Sequence, residues 1–208
     1  KITKAQQGLT AMVKDLTYVN TRGSSLLGAA FTMSRMASEV VKADDQRATM
    51  FKDANLKATK ARLAMPTANY DADLELVNFT RGLEEALEEL GANHPFVKKM
   101  LGGKSGAQVA KDALSASTLQ QPEVRKALVD GGLKALQASQ DPLVKMALIL
   151  EPMNREISKK ADDLRVVINE QNTQIAKARF AVYGKELYPD ATFTLRLTYG
   201  IVEGYPAN

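Results

Sequence analysis

The chain has 208 residues, of which 45% are hydrophobic and 25% are charged, and its formal net charge is +4. This length can bury a core as one large or two small globular domains. The lack of cysteine excludes disulfides, a thiol nucleophile and a thiolate metal site. No apolar run reaches the ~18 residues of a membrane-spanning helix. Basic residues are not interleaved with aromatics, which argues against a nucleic-acid partner.

Three helices are predicted in the N-terminal third. The first covers residues 4–17, and a turn at 20–23 follows it. The second begins at an N-cap, either Ser24 or Ser25, and its apolar stripe consists of Leu26, Ala30, Met33, Ala37 and Val40. The third is expected to run from a cap at Asp44 or Asp45 to about Ala64, before Pro66.

The middle of the chain predicts one long helix and several short ones. Asp71 opens a strongly amphipathic helix that ends at Leu90, where Gly91 is a suitable terminator. Its inward positions are Leu76, Phe79, Leu83, Ala86, Leu87 and Leu90. Short helices are then predicted at 95–101, 105–117, 122–130 and 132–139, with breaks at Gly102-Gly103 and Gly131-Gly132.

A long helix is predicted near the C-terminus. Asp141-Pro142 is a strong start signal, and Pro152 either kinks this helix or starts a new one. From Met153 to Tyr183 the helix would be roughly 45 Å long, and Gly184 would end it. A heptad seam runs along it through Ile157, Ala161, Leu164, Ile168, Gln171, Ile175, Ala178 and Val182. Earlier helices of the same chain, packed antiparallel, are the favoured cover for this seam; a dimeric coiled coil is the alternative.

The last segment predicts a β-strand. From Phe193 to Ile201, apolar residues alternate with Thr194, Arg196 and Thr198, which is the pattern of a half-buried strand. A single strand has no partners for its backbone hydrogen bonds. The sheet to which it belongs is therefore expected elsewhere, in a larger protein.

Three candidate sites are better explained by structural roles. His94, the only histidine, lies in a turn before Pro95, where it is expected to start a helix rather than act as a base. Gly102-Gly-Lys-Ser105 lacks the first glycine of a phosphate-binding loop, and Ser105 predicts a helix N-cap. The acidic cluster at 84–89 offers too few ligands for a cation and predicts a solvated helix face.

Two C-terminal segments resemble a known family. Ala178-Arg-Phe-Ala-Val-Tyr-Gly184 and Tyr188-Pro-Asp-Ala-Thr-Phe-Thr-Leu-Arg-Leu-Thr-Tyr-Gly200 are similar to the bacterial dipeptidyl-peptidases related to dipeptidyl-peptidase 7 and 11. Residues 42–47, 91–101 and 139–142 also resemble their helical region. The resemblance spans essentially the whole chain and is most specific at 188–200.

The resemblance implies a mainly α fold, a multi-helix cap at 1–187 inserted into a chymotrypsin-like double β-barrel. Residues 188–208 would begin the return into that barrel, as one or two strands. Family members are serine exopeptidases of Gram-negative bacteria that release dipeptides from peptide N-termini, which implies a periplasmic, surface or secreted location. The resemblance is also compatible with a homodimer of the parent protein.

The resemblance assigns no catalytic, cofactor-binding or metal-binding residue to this chain, and no cofactor. The catalytic His, Asp and Ser would lie outside it, and Asp190, Arg196 and Tyr199 belong to the family signature and are expected to anchor the strand. A stand-alone helical interaction module using the seam at 157–182 is the rival interpretation. A catalytically dead relative of the peptidase is the third.

Overall fold

The structure is a computed structural model that describes residues 1–184 and Gly200. The described residues form α-helices and two short 3-10 turns, with no strand among them. The helices are α1 Ile2–Ala11, α2 Val13–Tyr18, α3 Ser25–Glu39, α4 Asp53–Ala64, α5 Ala72–Leu90, α6 Pro95–Leu101, α7 Gly106–Ala116, α8 Pro122–Ala138 and α9 Pro142–Tyr183. The prediction of a mainly α chain with one long C-terminal helix is confirmed. The strand predicted at 193–201 falls outside the described residues, apart from Gly200, and stays a prediction.

Several helices start at the predicted caps. The Ser24 side chain accepts a hydrogen bond from Leu27 N–H, which settles the choice between Ser24 and Ser25. Asp71 caps α5 in the same way, through Leu74 N–H. Asp141 accepts from both Leu143 N–H and Val144 N–H at the start of α9. These side chains satisfy backbone donors that have no partner within the helix.

The single helix predicted at 4–17 is wrong, because the structure has two helices that meet at Met12. Met12 N–H donates to Leu9 C=O, only three residues back, so the backbone tightens there. After this change of direction α2 packs on α5 as well as on α9, whereas α1 packs along α9. The break thus lies where packing along α9 gives way to packing on both α5 and α9.

The helix predicted from Asp44 or Asp45 to Ala64 is wrong over its first turns. Residues Asp44–Gln46 and Thr49–Phe51 form separate 3-10 turns, and α4 begins only at Asp53. Arg47 lies between them in an extended conformation and donates to the carbonyls of Val40 and Lys42. Contacts to the end of α3 thus replace the helical hydrogen bonds that the sequence favours.

The break predicted at Gly131-Gly132 is confirmed. Gly132 has φ 58° and ψ −144°, a conformation that is strained for residues with a side chain, and it kinks α8. The predicted helices at 122–130 and 132–139 are therefore the two arms of one kinked element.

The core lies where α9 crosses the earlier helices. Its first turns bury Leu143, Val144, Ala147 and Leu150 completely, against the apolar stripe of α3. α9 is 42 residues long, about 63 Å at 1.5 Å per residue, and continues through Pro152, so no new helix starts there. Farther along, α1 covers the seam closely: a Cβ on Gly8 would lie 3.0 Å from Leu164 Cδ1. Intrachain packing is thus the cover for this part of the seam.

Among the residues that the structure describes, no helix is both long and apolar enough to cross a membrane.

Candidate functional site

His94 acts as a helix cap. Its Nδ1 accepts a hydrogen bond from Phe96 N–H at 3.2 Å, and Pro95 occupies the first position of α6. Its Nε2 lies 3.4 Å from Asp15 Oδ1, so the ring also ties α6 to α2. The expected role of His94 at a helix start is confirmed.

The other two sequence candidates also have structural roles. Ser105 Oγ accepts from Gln108 N–H at 3.2 Å and caps α7 after a left-handed turn at Gly102 and Gly103. In the acidic cluster, Glu85 pairs with Arg22 and Arg81, and Glu89 pairs with Lys14. No group of three potential metal ligands occurs among the described residues. Asp190, Arg196 and Tyr199 lie outside the described residues, so their anchoring role stays a prediction.

A small groove between α3 and α9 is the best candidate for a binding site. It has a volume of about 190 Å³. Its walls carry the basic residues Arg35, Lys42, Arg155 and Lys159 and the acidic residues Glu39, Glu151 and Asp162. Charged residues seldom line a groove between core helices unless they are paired, so each pairing bears on what the groove can bind.

Glu39 is held at the α3 end of the groove. The residue is 5% exposed, and its carboxylate pairs with Lys42 and accepts Ala48 N–H at 2.7 Å. Burial alone would raise the pKa of Glu39, but the hydrogen bonds from Lys42 and Ala48 and the charge of Arg35 outweigh it and lower that pKa. Glu39 is therefore a carboxylate that also fixes the chain after α3.

Glu151 is the corresponding buried carboxylate on α9. It is 4% exposed, accepts from Ser38 Oγ at 3.1 Å and lies 3.4 Å from Arg155 Nε. Both buried carboxylates thus have hydrogen-bond partners. On the rim, Asp162 pairs with Arg165 and Lys159 pairs with Asp163.

Arg35 is the basic residue of the groove that forms no ion pair with any described residue. A guanidinium can hold a carboxylate through two parallel hydrogen bonds. Ser158 supplies a hydroxyl to the lining, but the described residues place no histidine beside it to act as its base. The arrangement therefore suits binding of an anionic group.

A second, wider cleft lies between the loop at 20–25 and α5, with a volume of about 540 Å³. Its buried carboxylate, Glu75, accepts from Ser24 Oγ and Ser25 Oγ at 2.8 Å and from Leu26 N–H at 3.0 Å. Glu75 thereby caps the start of α3 from another helix. Its role is to join α5 to α3.

Arg125 is a buried arginine whose partners are neutral oxygens. It is 3% exposed and donates to the carbonyls of Leu119 and Met65 and to Thr67 Oγ1. Burial lowers its pKa. Arg125 therefore ties the loop after α4 to the start of α8.

These four buried charges were not predicted from the sequence, although three of them had a signal there. Glu75 lies four residues before Phe79, and Glu151 lies four residues after Ala147, so both fall on an apolar stripe. A charged residue on such a stripe indicates a buried partner. Arg125 also has this signal, because the buried Leu128 and Val129 follow it by three and four residues. Glu39 lies off the apolar stripe of α3, and its partners Lys42 and Ala48 come from the segment after that helix.

Comparison with known proteins identifies both a family and a relative. The chain matches the family model described as Peptidase S46 over residues 1–208. It is also 27% identical, over 194 residues, to an Asp/Glu-specific dipeptidyl-peptidase from Shewanella putrefaciens (strain CN-32 / ATCC BAA-453). That alignment covers 90% of this chain but only 26% of the relative. The chain thus spans about a quarter of the length of the curated protein that it matches.

Proposed function

This chain belongs to the Peptidase S46 family, and from that membership we propose that it is the helical cap domain of a larger serine-type dipeptidyl-peptidase. The observation that carries the proposal is the match to a peptidase family along the whole chain, in a chain whose one histidine caps a helix. A serine nucleophile needs a base within hydrogen-bond reach. That base is then supplied by the part of the enzyme outside this chain.

In this proposal residues 1–187 form the cap and 188–208 lead into a catalytic β-barrel. The barrel performs acyl transfer: a serine attacks the peptide carbonyl, a histidine moves the proton, and backbone amides stabilise the oxyanion. The cap shapes the cleft, excludes water and restricts entry to peptide N-termini, so it acts by positioning. The enzyme would work in the periplasm or at the cell surface.

The α3–α9 groove is the part of the cap that we propose contacts the substrate. The relative is named as specific for Asp and Glu, and the groove offers Arg35 without an ion partner among the described residues. Peptides with acidic side chains would gain a charge-assisted hydrogen bond there, in addition to the contacts made in the barrel.

The test uses the full-length protein that contains this chain. We expect it to release dipeptides from peptides with a free N-terminus and to leave N-acetylated copies intact, while the 208-residue chain alone releases none. Single amino acids released in place of dipeptides, or cleavage of acetylated peptides at the same rate, would refute the proposal.

The groove is tested separately. Arg35→Gln should raise KM several-fold for peptides with an acidic residue and leave KM for matched neutral peptides unchanged, with kcat similar in both. Lys159→Gln is the control, because Lys159 lines the same groove but is already paired with Asp163. If Arg35→Gln changes KM equally for acidic and neutral peptides, the groove does not contact the acidic side chain of the substrate.

The rival function, a stand-alone module that binds a partner helix along the seam at 157–182, has one observation in its favour. Ile175 and Val182 on that seam are 50% and 74% exposed. The rival predicts a folded 208-residue protein that binds its partner without any barrel. Dipeptide release by the full-length protein separates the two functions.

A further inference from the structure

The last three turns of α9 form an arm, defined here as Asn172–Tyr183, that has little packing among the described residues. Every residue of the arm is exposed. Its length is about 18 Å at 1.5 Å per residue. The arm continues a helix that the packed part of α9 has already nucleated, so its helicity alone does not require a cover. What a cover would bury is its exposed apolar side chains.

The arm carries two apolar stripes. With roughly 100° between successive residues, Ile175, Ala178 and Val182 lie within about 60° of one another and continue the seam. Ala176, Phe180 and Tyr183 form a second stripe, centred roughly 130° farther round the helix. Phe180 and Tyr183 are each 58% exposed. A surface helix has one apolar stripe, whereas a helix that is apolar on several sides is normally buried.

The two stripes discriminate between the possible covers. A second copy of α9 in a two-stranded coiled coil would cover the seam but leave the stripe of Phe180 and Tyr183 in water. A larger body that encloses the arm from two sides covers both. The arm contains Lys177 and Arg179 and no carboxylate, so an enclosing surface with acidic groups would also match its charge.

Chain connectivity points to the nature of that body. Tyr188 follows Gly184, the residue after the arm, by four positions, a span of at most about 14 Å. The segment at 188–200, which the sequence predicts to enter a sheet, is thus tethered next to the arm. The alignment covers 26% of the Shewanella relative, so most of that enzyme lies outside the region that this chain matches.

We propose that the arm docks between surfaces of the catalytic part of its own polypeptide, with the stripe of Ala176, Phe180 and Tyr183 buried there. This inference rests on the proposed function. The arm then fixes the cap to the barrel: α9 joins the buried core of the cap, at Leu143 to Leu150, to the docking surface about 40 Å along the same helix. The position of the cap over the cleft would depend on this contact.

The test is thiol labelling in the full-length protein. This chain has no cysteine, so the substitution Phe180→Cys introduces a thiol that peptide mass spectrometry can follow. Val166→Cys is the matched control, because Val166 is on the same helix, outside the arm, and is 53% exposed. We expect a maleimide to label the Phe180→Cys variant at least tenfold more slowly than the Val166→Cys variant. The difference should hold at any protein concentration and disappear after denaturation.

Two results would overturn the proposal. Labelling of the Phe180→Cys variant within twofold of the Val166→Cys variant would show that the stripe is free. Protection of the thiol at position 180 that disappears on dilution would assign the arm to a second copy.

Dipeptide release, measured on the same samples, tests the proposed function separately. An active enzyme in which the Phe180→Cys thiol is labelled rapidly refutes only the docking. A protected thiol at that position without dipeptide release refutes only the peptidase.

Discussion

The two ends of α9 differ sharply in how deeply their apolar side chains are buried. The same helix, with the same kind of apolar periodicity, is buried to 0% exposure at Leu150 and is 74% exposed at Val182. At the N-terminal end, α3 and α8 cover it, and α1 covers it farther along, at Leu164. At the other end the described residues offer no cover. A helical period therefore predicts which side chains share a face, but what the face packs against depends on the rest of the molecule.

The largest effect should come from truncating the buried end. Leu150→Ala should lower the free energy of unfolding by about 3–5 kcal/mol, because it leaves a cavity in a close-packed core. Ile175→Ala, the matched change on the arm, should cost less than about 0.5 kcal/mol. Denaturant unfolding of the 208-residue chain measures both. Similar losses would mean that the arm is packed as tightly as the core.

The buried and exposed parts of the seam can also be compared by enlarging a side chain in each part. Ala161 is 0% exposed, whereas Ala178 is exposed. Ala161→Leu should destabilise by about 1–3 kcal/mol, since the new methyl groups have no space beneath the helices that cover α9. Ala178→Leu should leave the unfolding midpoint unchanged in the same experiment. A tolerated Ala161→Leu would show that the seam is loosely covered along its whole length.

Sequence analysis could predict what depends on local chemistry. The caps at Ser24, Asp71, Ser105 and Asp141 each follow from a side chain that can accept a backbone hydrogen bond. The kink at Gly132 follows from the freedom of glycine. These signals lie within a few residues of the feature that they specify.

What the sequence could not predict depends on distant partners. The stretch after Asp44 was expected to be helical, yet Arg47 bonds to the end of α3 and Glu39 takes Ala48 N–H, so the helix starts later. The α3–α9 groove is equally non-local, because Ser38 and Glu151 meet across 113 positions of sequence. The expected function came from the family resemblance, and although Glu151 on an apolar stripe indicated a buried partner, nothing in the sequence identified that partner as a residue of α3.

Two glutamates of α9, one buried and one exposed, extend the comparison to charged residues. Glu151→Gln should destabilise the chain by about 1–2 kcal/mol, because a buried carboxylate loses its charge next to Arg155 and leaves that pairing incomplete. Glu156→Gln, farther along the helix and exposed, removes an ion pair with Lys160 and should have no measurable effect. Thermal unfolding at about pH 7 compares the two variants. Equal stability of both variants would show that Glu151 is solvated.

The smallest predicted effect is the pH dependence that Glu39 contributes beside the packed end of α9; the arm, by contrast, has no carboxylate to titrate. The pKa of Glu39 lies below its ordinary value of 4.5. A lowered pKa means that the folded state binds the proton less readily than the unfolded chain. The stability from Glu39 is therefore complete above pH 4.5 and is lost as the pH falls through the lower, folded-state value.

Two substitutions test this pH dependence from opposite sides of the ion pair: removing Glu39 should abolish its contribution, and removing Lys42 should reduce it, because Ala48 N–H and the charge of Arg35 remain. Glu39→Gln should reduce stability near neutral pH and flatten the acid side of the stability curve, because the titrating group is gone. Lys42→Met should flatten the curve in the same direction, because it removes the charge that pairs with Glu39. Denaturant unfolding from about pH 7 to about pH 3 covers the range in which a carboxyl group titrates. If the stability curves of both variants run parallel to that of the native protein, these partners do not stabilise the ionised Glu39 carboxylate. The groove at the packed end of α9 would then have no electrostatic role in stability.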